Sequence, residues 1–430
     1  MSLEAAGLGR GPARPVLLTL CPNVILAGLA LLSLLLTARF GTLAALGFVV
    51  SGMLLWARQP GRALDDVVRY WPVFLVPAWC LLSWFWSGAP SETLRYGIQL
   101  ALTFLAAVAM ATRLSPRSFA LVAFACLSIA GLASLLFGSV RSDGAGWLGI
   151  FGSKNAYSFL MSTLVLLGFA AVLARGERTP IRLAGLAGLG LGLFLLVMGQ
   201  SAGALASTAL ALGLGLCLIL LRSATPMQRL ATLVLAALAA VALGLLAYGF
   251  RAEIAALMLD ATGKDPTLTG RTDLWDAAFG EIARQPLLGQ GFHAVWVPGH
   301  PVAEAMWAEF GIASKSGFNF HNTWISNAVE VGLIGAGLQV ALFAATLVLA
   351  WRWALRSLGM ASLFFAIFAT RQLALSFFEV VAYNQFQVET MLMVSALVFG
   401  LRFERHAAAQ RRPSAARTPS WPGDGAALTR

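Results

Sequence analysis

Residues 231–250 read ATLVLAALAAVALGLLAYGF, and residues 324–350 read WISNAVEVGLIGAGLQVALFAATLVLA. The first run has no charged residue and the second has only Glu330, and crossing the hydrocarbon of a bilayer takes about 20 apolar residues. Residues 251–320 between them are polar and, with the adjoining His321, hold three of the four histidines and two of the three lysines. This alternation predicts membrane helices with reactive side chains gathered in one loop.

The composition of the whole chain is that of a membrane protein. Its 430 residues are 59% hydrophobic and 11% charged, with a mean hydropathy of +0.78, whereas soluble domains carry about 25% charged residues. We count twelve apolar runs that predict membrane helices, with a range of ten to thirteen because several are short: 16–37, 41–57, 71–86, 97–113, 119–138, 157–174, 183–199, 202–221, 231–250, 324–350, 360–379 and 388–401. The predicted fold is an all-α polytopic integral membrane protein, with helices 1–9 in 16–250, one large outer loop in 251–320 and helices 10–12 in 321–403.

The placement of basic residues predicts the orientation of these helices. The formal net charge is +11, and the basic residues fall in the tail and in alternate short loops, near Arg62, Arg117, Arg178, Arg222 and Arg352. Cytoplasmic loops carry such an excess of Lys and Arg. The N-terminus (1–15) and the tail (404–430), whose composition predicts disorder, are therefore expected in the cytoplasm, with 251–320 outside. Because topology accounts for the charge, we predict no nucleic-acid partner.

His321 lies where the polar loop re-enters the membrane, directly before Asn322 and the next apolar run. The unperturbed pKa of histidine lies near neutrality, which suits a general base that deprotonates an acceptor hydroxyl. An interfacial histidine bonded to the loop backbone is the alternative, and position alone does not separate the two. The loop also offers three carboxylates that could serve as the base: Asp273, Asp276 and Glu309.

Arg271 comes one or two residues before a predicted helix that Thr272 or Asp273 caps and that ends before Pro286. The guanidinium and the free N–H groups of the first helical turn can face one anion there, such as a pyrophosphate. A salt bridge from Arg271 to Asp273 or Asp276 is the competing interpretation. One apolar face of this helix is expected to lie along the outer membrane interface: Leu274, Trp275, Ala278, Phe279 and Ile282.

Three other cations are candidates for contact with an anionic substrate. Lys154 and Arg95 lie in or near predicted outer loops, where an isolated cation is usually solvated or snorkels to the interface. Arg371 lies inside an apolar run, where a charge is expensive and usually faces a partner or a polar cavity. It either lines such a cavity or pairs with Glu379, two turns further along.

Residues with metal-binding side chains do not show the spacing of a metal site. His293 and His300 lie near Glu304, but their spacing matches no zinc-binding pattern. The four cysteines all lie in apolar runs, without disulfide or metal-ligand spacing, and are predicted to serve packing. We therefore predict neither a metal ion nor any other cofactor.

Several short motifs occur in a fixed order along the chain: LSWFWS (82–87) with Pro90, WLGIFGSKN (147–155), LTGRTDLW (268–275), PLLGQGF (286–292), HN (321–322) and GLIG (332–335). As an ordered set they resemble the O-antigen ligase and polymerase superfamily with its Wzy-like C-terminal domain. The likeness is greatest to the exopolysaccharide polymerase branch, the ExoQ-like proteins. The motifs and the large loop between late helices extend the resemblance over most of the chain.

The resemblance implies a metal-independent glycosyltransferase of the bacterial plasma (inner) membrane, active in exopolysaccharide or O-antigen biosynthesis. Such enzymes move a glycan from a polyprenyl-pyrophosphate carrier to an acceptor sugar hydroxyl on the outer face. The resemblance favours His321 as the base and Arg271 as the pyrophosphate ligand, because both fall on motif positions. We predict that five further residues contact the substrate or its pyrophosphate: Lys154, Asn155, Asn322, Arg371 and Arg95.

Two departures from the family pattern concern charge. The family often has His-Lys-Asn where this chain reads Ser153-Lys-Asn155, and Ser-Arg where it reads Gln200-Ser-Ala-Gly203. Lys154, Arg271 and Arg371 are then the remaining cations for a pyrophosphate leaving group, which such cations stabilise as it departs. A single displacement, with His321 on the opposite side, would invert the anomeric centre.

Two other functions compete with polymerisation. The first is an O-antigen-type ligase that passes a finished glycan to lipid A core or another acceptor. The second is a flippase for lipid-linked oligosaccharides or another transporter, although transporters usually show internal repeats and short outer loops. The partners implied are the lipid-linked donor, the glycan acceptor and the bilayer, with a flippase and a chain-length regulator nearby.

Overall fold

The computed structural model describes residues 21–222 except 143 and 145, residues 224–228, isolated positions between 231 and 249, and residues 269–411 except 317. The predictions for the N-terminus (1–15), the run 231–250, the first part of the polar loop and residues 412–430 lie outside the described residues. Over the described ranges the chain is nearly all helical, as predicted.

Each of the other eleven predicted runs overlaps a helix. We number the α-helices along the described residues: α1 Pro22–Leu35, α2 Thr37–Ala57, α3 Pro60–Arg69, α4 Leu75–Leu82, α5 Pro90–Arg113, α6 Pro116–Phe137, α7 Lys154–Leu173, α8 Thr179–Met198, α9 Ala202–Arg222, α10 Thr269–Arg284, α11 Pro301–Glu309, α12 Thr323–Arg356, α13 Met360–Ser376 and α14 Val388–Arg411. Two 3₁₀ turns, Trp71–Phe74 and Ser83–Phe85, flank α4. The exception to helix is a short antiparallel hairpin of β1 (Ser139–Val140) and β2 (Trp147–Gly149).

The protein is a polytopic membrane protein. Seven of the described helices are long and apolar enough to cross a bilayer, or eight if the bent pair Pro60–Arg69 and Trp71–Phe85 forms one span, while α1 and α13 are apolar but shorter. Helix α13 is the centre of the bundle, since nearly all of its side chains are buried and it packs against α6, α7, α9, α12 and α14. The total of twelve spans and their orientation stay predictions.

Helix α14 is longer than predicted. It continues to Arg411, into the stretch that we expected to be a disordered tail. Two basic side chains tie this end to neighbouring helices: Arg402 donates to the carbonyl of Leu114 at 3.2 Å, and Arg405 donates to the carbonyl of Arg69 at 3.2 Å. Composition predicted disorder, and these tertiary contacts explain why the helix extends.

Helix α10 differs from its prediction in two ways. It begins at Thr269 rather than near Asp273, so Arg271 lies inside its first turn. Four side chains of its predicted apolar face, Leu274, Trp275, Ala278 and Ile282, pack into a small protein core, and the indole of Trp275 donates to the carbonyl of Phe320 at 2.9 Å. Phe279, the fifth, is 53% exposed, so the prediction of a membrane-facing side chain is retained for this residue alone.

A break in α12 is the main backbone irregularity near the polar loop. At Gly332 the backbone has φ 67° and ψ 178°, which interrupts the helix. Segment 286–292 pairs with the groups that the break frees: Gln290 N–H donates to the Val329 carbonyl at 2.9 Å, and Leu333 N–H donates to the Pro286 carbonyl at 2.8 Å. We call segments 286–292 and 329–335 together the backbone clamp.

Aromatic and hydroxyl side chains from α4, α5 and their connection hold the clamp. The indole of Trp79 donates to the Val331 carbonyl at 2.9 Å, and that of Trp86 donates to the Leu288 carbonyl at 3.0 Å. A Cβ on Gly332 would overlap the Leu287 carbonyl. The motifs 82–87, 286–292 and 332–335 therefore meet in one structure, built mainly from main-chain contacts.

Candidate functional site

Glu379 is the centre of a polar cluster that joins four parts of the chain. Its Oε1 accepts a hydrogen bond from Asn155 Nδ2 at 3.1 Å and lies 3.6 Å from a terminal guanidinium nitrogen of Arg271. Its Oε2 lies 3.2 Å from His321 Nδ1. The side chain of Glu379 is 15% exposed, and those of Arg271 and His321 are each 27% exposed. The cluster is partly enclosed and still reachable from outside the protein.

Three helix N-termini converge on this carboxylate. Asn155 is the second residue of α7, Arg271 is the third of α10, and His321 stands two residues before α12. The N-terminus of a helix carries partial positive charge from its unpaired N–H groups. The cluster is therefore electropositive beyond its formal charges and suits an anionic ligand.

Asn322 and Thr323 position Glu379 through the backbone. Asn322 Oδ1 caps α12 by accepting from the N–H groups of Trp324 at 3.0 Å and Ile325 at 3.1 Å, and its Nδ2 donates to the Phe377 carbonyl at 3.2 Å. Thr323 Oγ1 donates to the Glu379 carbonyl at 2.8 Å. We predicted Asn322 as a substrate contact, but its amide is engaged in holding the segment that carries Glu379.

His321 has the geometry of an oriented base. Its backbone is left-handed, with φ 49°, and its N–H donates to Asn319 Oδ1 at 2.7 Å. With Nδ1 directed at Glu379, a proton on Nδ1 leaves Nε2 as the acceptor. Nε2 makes no hydrogen bond within the described part of the chain. A carboxylate that fixes one imidazole nitrogen and leaves the other open is the arrangement that serves proton abstraction.

Arg271 pairs with Glu379 and not with the carboxylates near it in sequence. Asp273 and Asp276 are exposed on α10, and neither forms an ion pair with Arg271. Glu309 is exposed at the end of α11. None of these three carboxylates contacts His321 in the described structure. The geometry therefore does not support the alternative that one of them is the general base.

Lys154 opens α7, directly before Asn155. Its side chain lies beside Gly146 and next to the turn at Gly199, where a Cβ on Gly146 would come 3.0 Å from Lys154 Cδ and 2.6 Å from the Gly199 carbonyl oxygen. This turn leads into Gln200-Ser-Ala-Gly203, the segment where the resemblance implies Ser-Arg. The missing basic residue therefore belongs to the neighbourhood of Lys154, and the structure brings Lys154, Asn155, Arg271 and His321 to one end of the bundle.

Arg371 and Arg95 lie apart from the cluster. Arg371 is fully buried, donates to the Phe159 carbonyl at 2.7 Å and lies over the Phe368 ring at 5.2 Å, so it does not pair with Glu379. Arg95 is 62% exposed on α5 and lies 3.6 Å from Glu92. Of the predicted substrate contacts, Lys154, Asn155 and Asn322 therefore lie near His321 and Arg271, whereas Arg371 and Arg95 do not.

The histidines that we weighed as metal ligands are separated. His293 Nε2 lies 3.0 Å from Gln385 Oε1, and its ring packs on Tyr96 at 4.5 Å. Burial lowers the pKa of His300, while hydrogen bonds from Lys315 and the Gly299 amide lower the pKa of Glu304. Among the described residues, His, Cys, Asp and Glu form no group of three or more that could hold a metal ion.

Glu379 is the functional candidate that sequence reasoning missed. We considered it as a partner of Arg371, because both lie in the run 360–379. The sequence carried one signal, because Glu379 is a carboxylate at the very end of an apolar run. Placing a charge there costs free energy unless the charge has partners. The partners could not be named, because they come from residues 58, 108 and 224 positions away along the chain.

Comparison with known proteins places the chain in a family. The family model described as O-antigen ligase matches residues 187–340, a range that includes Arg271 and His321 and ends before Glu379. The exopolysaccharide production protein ExoQ of Rhizobium meliloti (strain 1021) is 35% identical over 341 residues, which cover 78% of this chain and 76% of that protein. The chain belongs to the O-antigen ligase and polymerase family.

Within that family the chain is similar to ExoQ, as its motifs predicted. Its role is in exopolysaccharide or O-antigen biosynthesis, and the family is one of glycosyltransferase-like polymerases and ligases. The resemblance that we drew from the ordered motifs is confirmed.

Proposed function

We propose that this protein is an inverting polymerase that transfers a glycan from a polyprenyl pyrophosphate to an acceptor sugar hydroxyl. The observation that supports this most is the pairing of His321 with Glu379 beside Arg271 and three helix N-termini. A base and an anion-binding residue lie near each other on either oxygen of Glu379. A donor whose anomeric carbon lies between them would have the acceptor hydroxyl on the His321 side and the pyrophosphate on the Arg271 side, the opposite faces that an inverting displacement requires.

The proposed reaction is a single displacement. The acceptor oxygen forms a bond to the anomeric carbon as the bond from that carbon to the pyrophosphate oxygen breaks, and the departing pyrophosphate keeps the electron pair. The acceptor proton moves to His321 Nε2, and Glu379 stabilises the resulting imidazolium. Arg271, with Lys154 nearby, stabilises the charge on the pyrophosphate. One inversion at the anomeric carbon follows.

Product analysis tests the reaction and distinguishes its two family variants. Purified full-length protein is incubated with a lipid-linked repeat unit, alone or with lipid A core. We expect a ladder of lipid-linked glycans that lengthen in repeat units, with inverted linkages. A single transfer to lipid A core would assign a ligase instead, and transport of the donor across vesicles without any new linkage would overturn both.

We also propose that the reaction needs no metal ion. The polyprenyl pyrophosphate is already a good leaving group, and the cations of the cluster can stabilise it. Activity in excess EDTA should stay close to its value in untreated enzyme. A loss of activity that added Mg²⁺ or Mn²⁺ restores would contradict this proposal.

The location proposed is the bacterial inner membrane, with both termini in the cytoplasm and the His321 cluster outside. Cysteine labelling with an impermeant reagent in intact cells tests the orientation, after the exposed Cys21 and Cys217 are replaced by alanine. Ser316→Cys should be labelled and Arg178→Cys should not. The opposite pattern would place the cluster in the cytoplasm. A flippase and a chain-length regulator are the expected partners in the cell.

A further inference from the structure

A polar cavity of about 530 Å³ lies at the end of the bundle opposite the His321 cluster. Helix α5 begins beside the backbone clamp, where Thr93 donates to the Phe292 carbonyl at 2.8 Å, and ends at this cavity. A helix of that length spans about 36 Å. Two aspartates line the cavity together with five arginines: Arg62, Arg69, Arg113, Arg402 and Arg405.

Arg113 is the buried arginine among the residues that line this cavity. Its side chain is 3% exposed, and one terminal nitrogen pairs with Asp66. Its Nε and its other terminal nitrogen have no hydrogen-bond partner among the described residues. A buried donor without an acceptor is costly. Arg113 lines the cavity, so its buried guanidinium adds positive charge and unpaired donors next to the space that an anionic oxygen ligand would fill.

The other four arginines outnumber the one further carboxylate that lines the cavity, Asp65. In the described ranges, Arg62, Arg69, Arg402 and Arg405 have no carboxylate within ion-pair distance. Arg405 is fixed by its bond to the Arg69 carbonyl and by its position 4.9 Å over the Tyr70 ring. Backbone and aromatic contacts orient this side chain and leave its charge available.

Helix α3, which lines the cavity, has the features of a segment that lies along a membrane surface. The helix bends 78° from the segment Trp71–Phe85, and its polar face lines the cavity. Leu64, Val68 and Trp71 are exposed large apolar side chains, as expected of an amphipathic segment against lipid.

We propose that this cavity binds a phosphate group, supplied by the headgroup of an anionic phospholipid or by a soluble phosphate ester. Planar guanidinium groups match the geometry of phosphate oxygens. A basic pocket between helices at the membrane surface suits a lipid headgroup. The site is separate from the glycan-transfer cluster and does not depend on the function proposed for that cluster.

The test measures the Tm of the purified full-length chain in neutral detergent. Phosphatidylglycerol should raise the Tm by about 5 °C at saturation, the scale for a ligand in large excess over its Kd. Phosphatidylcholine should not raise it. The double variant Arg62→Gln and Arg69→Gln should abolish the phosphatidylglycerol shift, because both side chains are exposed on α3 and line the cavity. Arg178→Gln, an exposed arginine outside the cavity, is the matched control and should keep the shift.

Glycerol 3-phosphate distinguishes the two sources of phosphate. A shift with phosphatidylglycerol alone identifies a lipid headgroup, and an equal shift with glycerol 3-phosphate identifies a soluble ester. The proposal is overturned if neither compound shifts the Tm, if phosphatidylcholine acts equally, or if the double variant responds like the wild type.

Discussion

The backbone clamp contains the break in α12, and the Glu379 cluster contains His321, which lies two residues before the same helix. The two regions are held together by different kinds of contact. The clamp consists of main-chain hydrogen bonds, with no room for a Cβ on Gly332. The cluster consists of side chains that are partly exposed and meet through one carboxylate. Both contain motifs that carry the family resemblance. A motif shared within the family can therefore either fix the course of the backbone or supply reactive side chains. The contacts of each motif show which of the two it does.

The two regions are mechanically connected. His321 and Asn322 lead into the first part of α12, which ends at the Gly332 break, so roughly nine helical residues, or about 14 Å, separate the two regions. The clamp holds the end of this first part, and its beginning holds His321. Changes in the clamp should remove the folded protein, whereas changes in the cluster should leave the fold and remove the chemistry.

Gly332→Ala should have the largest effect. The added Cβ would overlap the Leu287 carbonyl, and the left-handed backbone at this position is strained for alanine. We expect little folded protein, measured by size-exclusion chromatography of detergent extracts. Gly337→Ala in the same helix is the matched control, because a Cβ there meets nothing within 4 Å. Equal Tm values for the two variants would contradict the role of the clamp.

His321→Asn should slow the chemical step by roughly 10² or more while the protein stays folded. Asparagine tolerates the left-handed backbone at this position better than alanine does. The asparagine variant therefore removes the imidazole without adding the backbone strain that alanine would bring. His321→Ala is expected to show the same loss in turnover with some loss in Tm. Binding of the lipid donor should stay nearly unchanged. Normal polymer length and yield from stable His321→Asn protein would remove the base assignment.

Arg271→Ala should weaken both donor binding and turnover, by roughly 10-fold or more in each case. Arg271→Lys should rescue only in part, since a point charge does not replace the planar fork. Arg178→Ala, an exposed arginine outside the cluster, serves as the control. Donor titration measures the affinity for the lipid donor, and single-turnover rates measure the chemical step. Unchanged donor affinity in Arg271→Ala would show that the pyrophosphate binds elsewhere.

Glu379→Gln should have the smallest of these effects, about 10-fold in turnover, because it disturbs the orientation of His321 without removing the base. Donor binding should hold or tighten, since a negative charge beside Arg271 is lost. In the His321→Asn background the same change should cost little more, the non-additivity expected of residues that act together. Glu304→Gln is the control on a partly exposed carboxylate outside the cluster. Additive losses would show that Glu379 acts independently of His321.

The helical membrane fold and the family could be predicted from the composition and from the order of the motifs. Membrane helices need only local apolar length, so each of the eleven predicted runs within the described residues overlaps a helix. His321 could be selected because it lies where the polar loop meets an apolar run, and Arg271 because it adjoins a predicted helix N-terminus, where an anion can bind. The family likewise followed from short motifs in a fixed order.

Only the tertiary structure decided which side chains meet. Glu379 and Arg371 lie two turns apart in one predicted run, yet one joins His321 and Arg271 while the other is buried against Phe159. Asn322, which stays a predicted substrate contact, also caps α12, a role that the sequence did not reveal. Local pattern governs whether a segment is helical and apolar, because those preferences act within a few residues. Partners come from helices far apart in the chain, and packing alone brings them within hydrogen-bond distance.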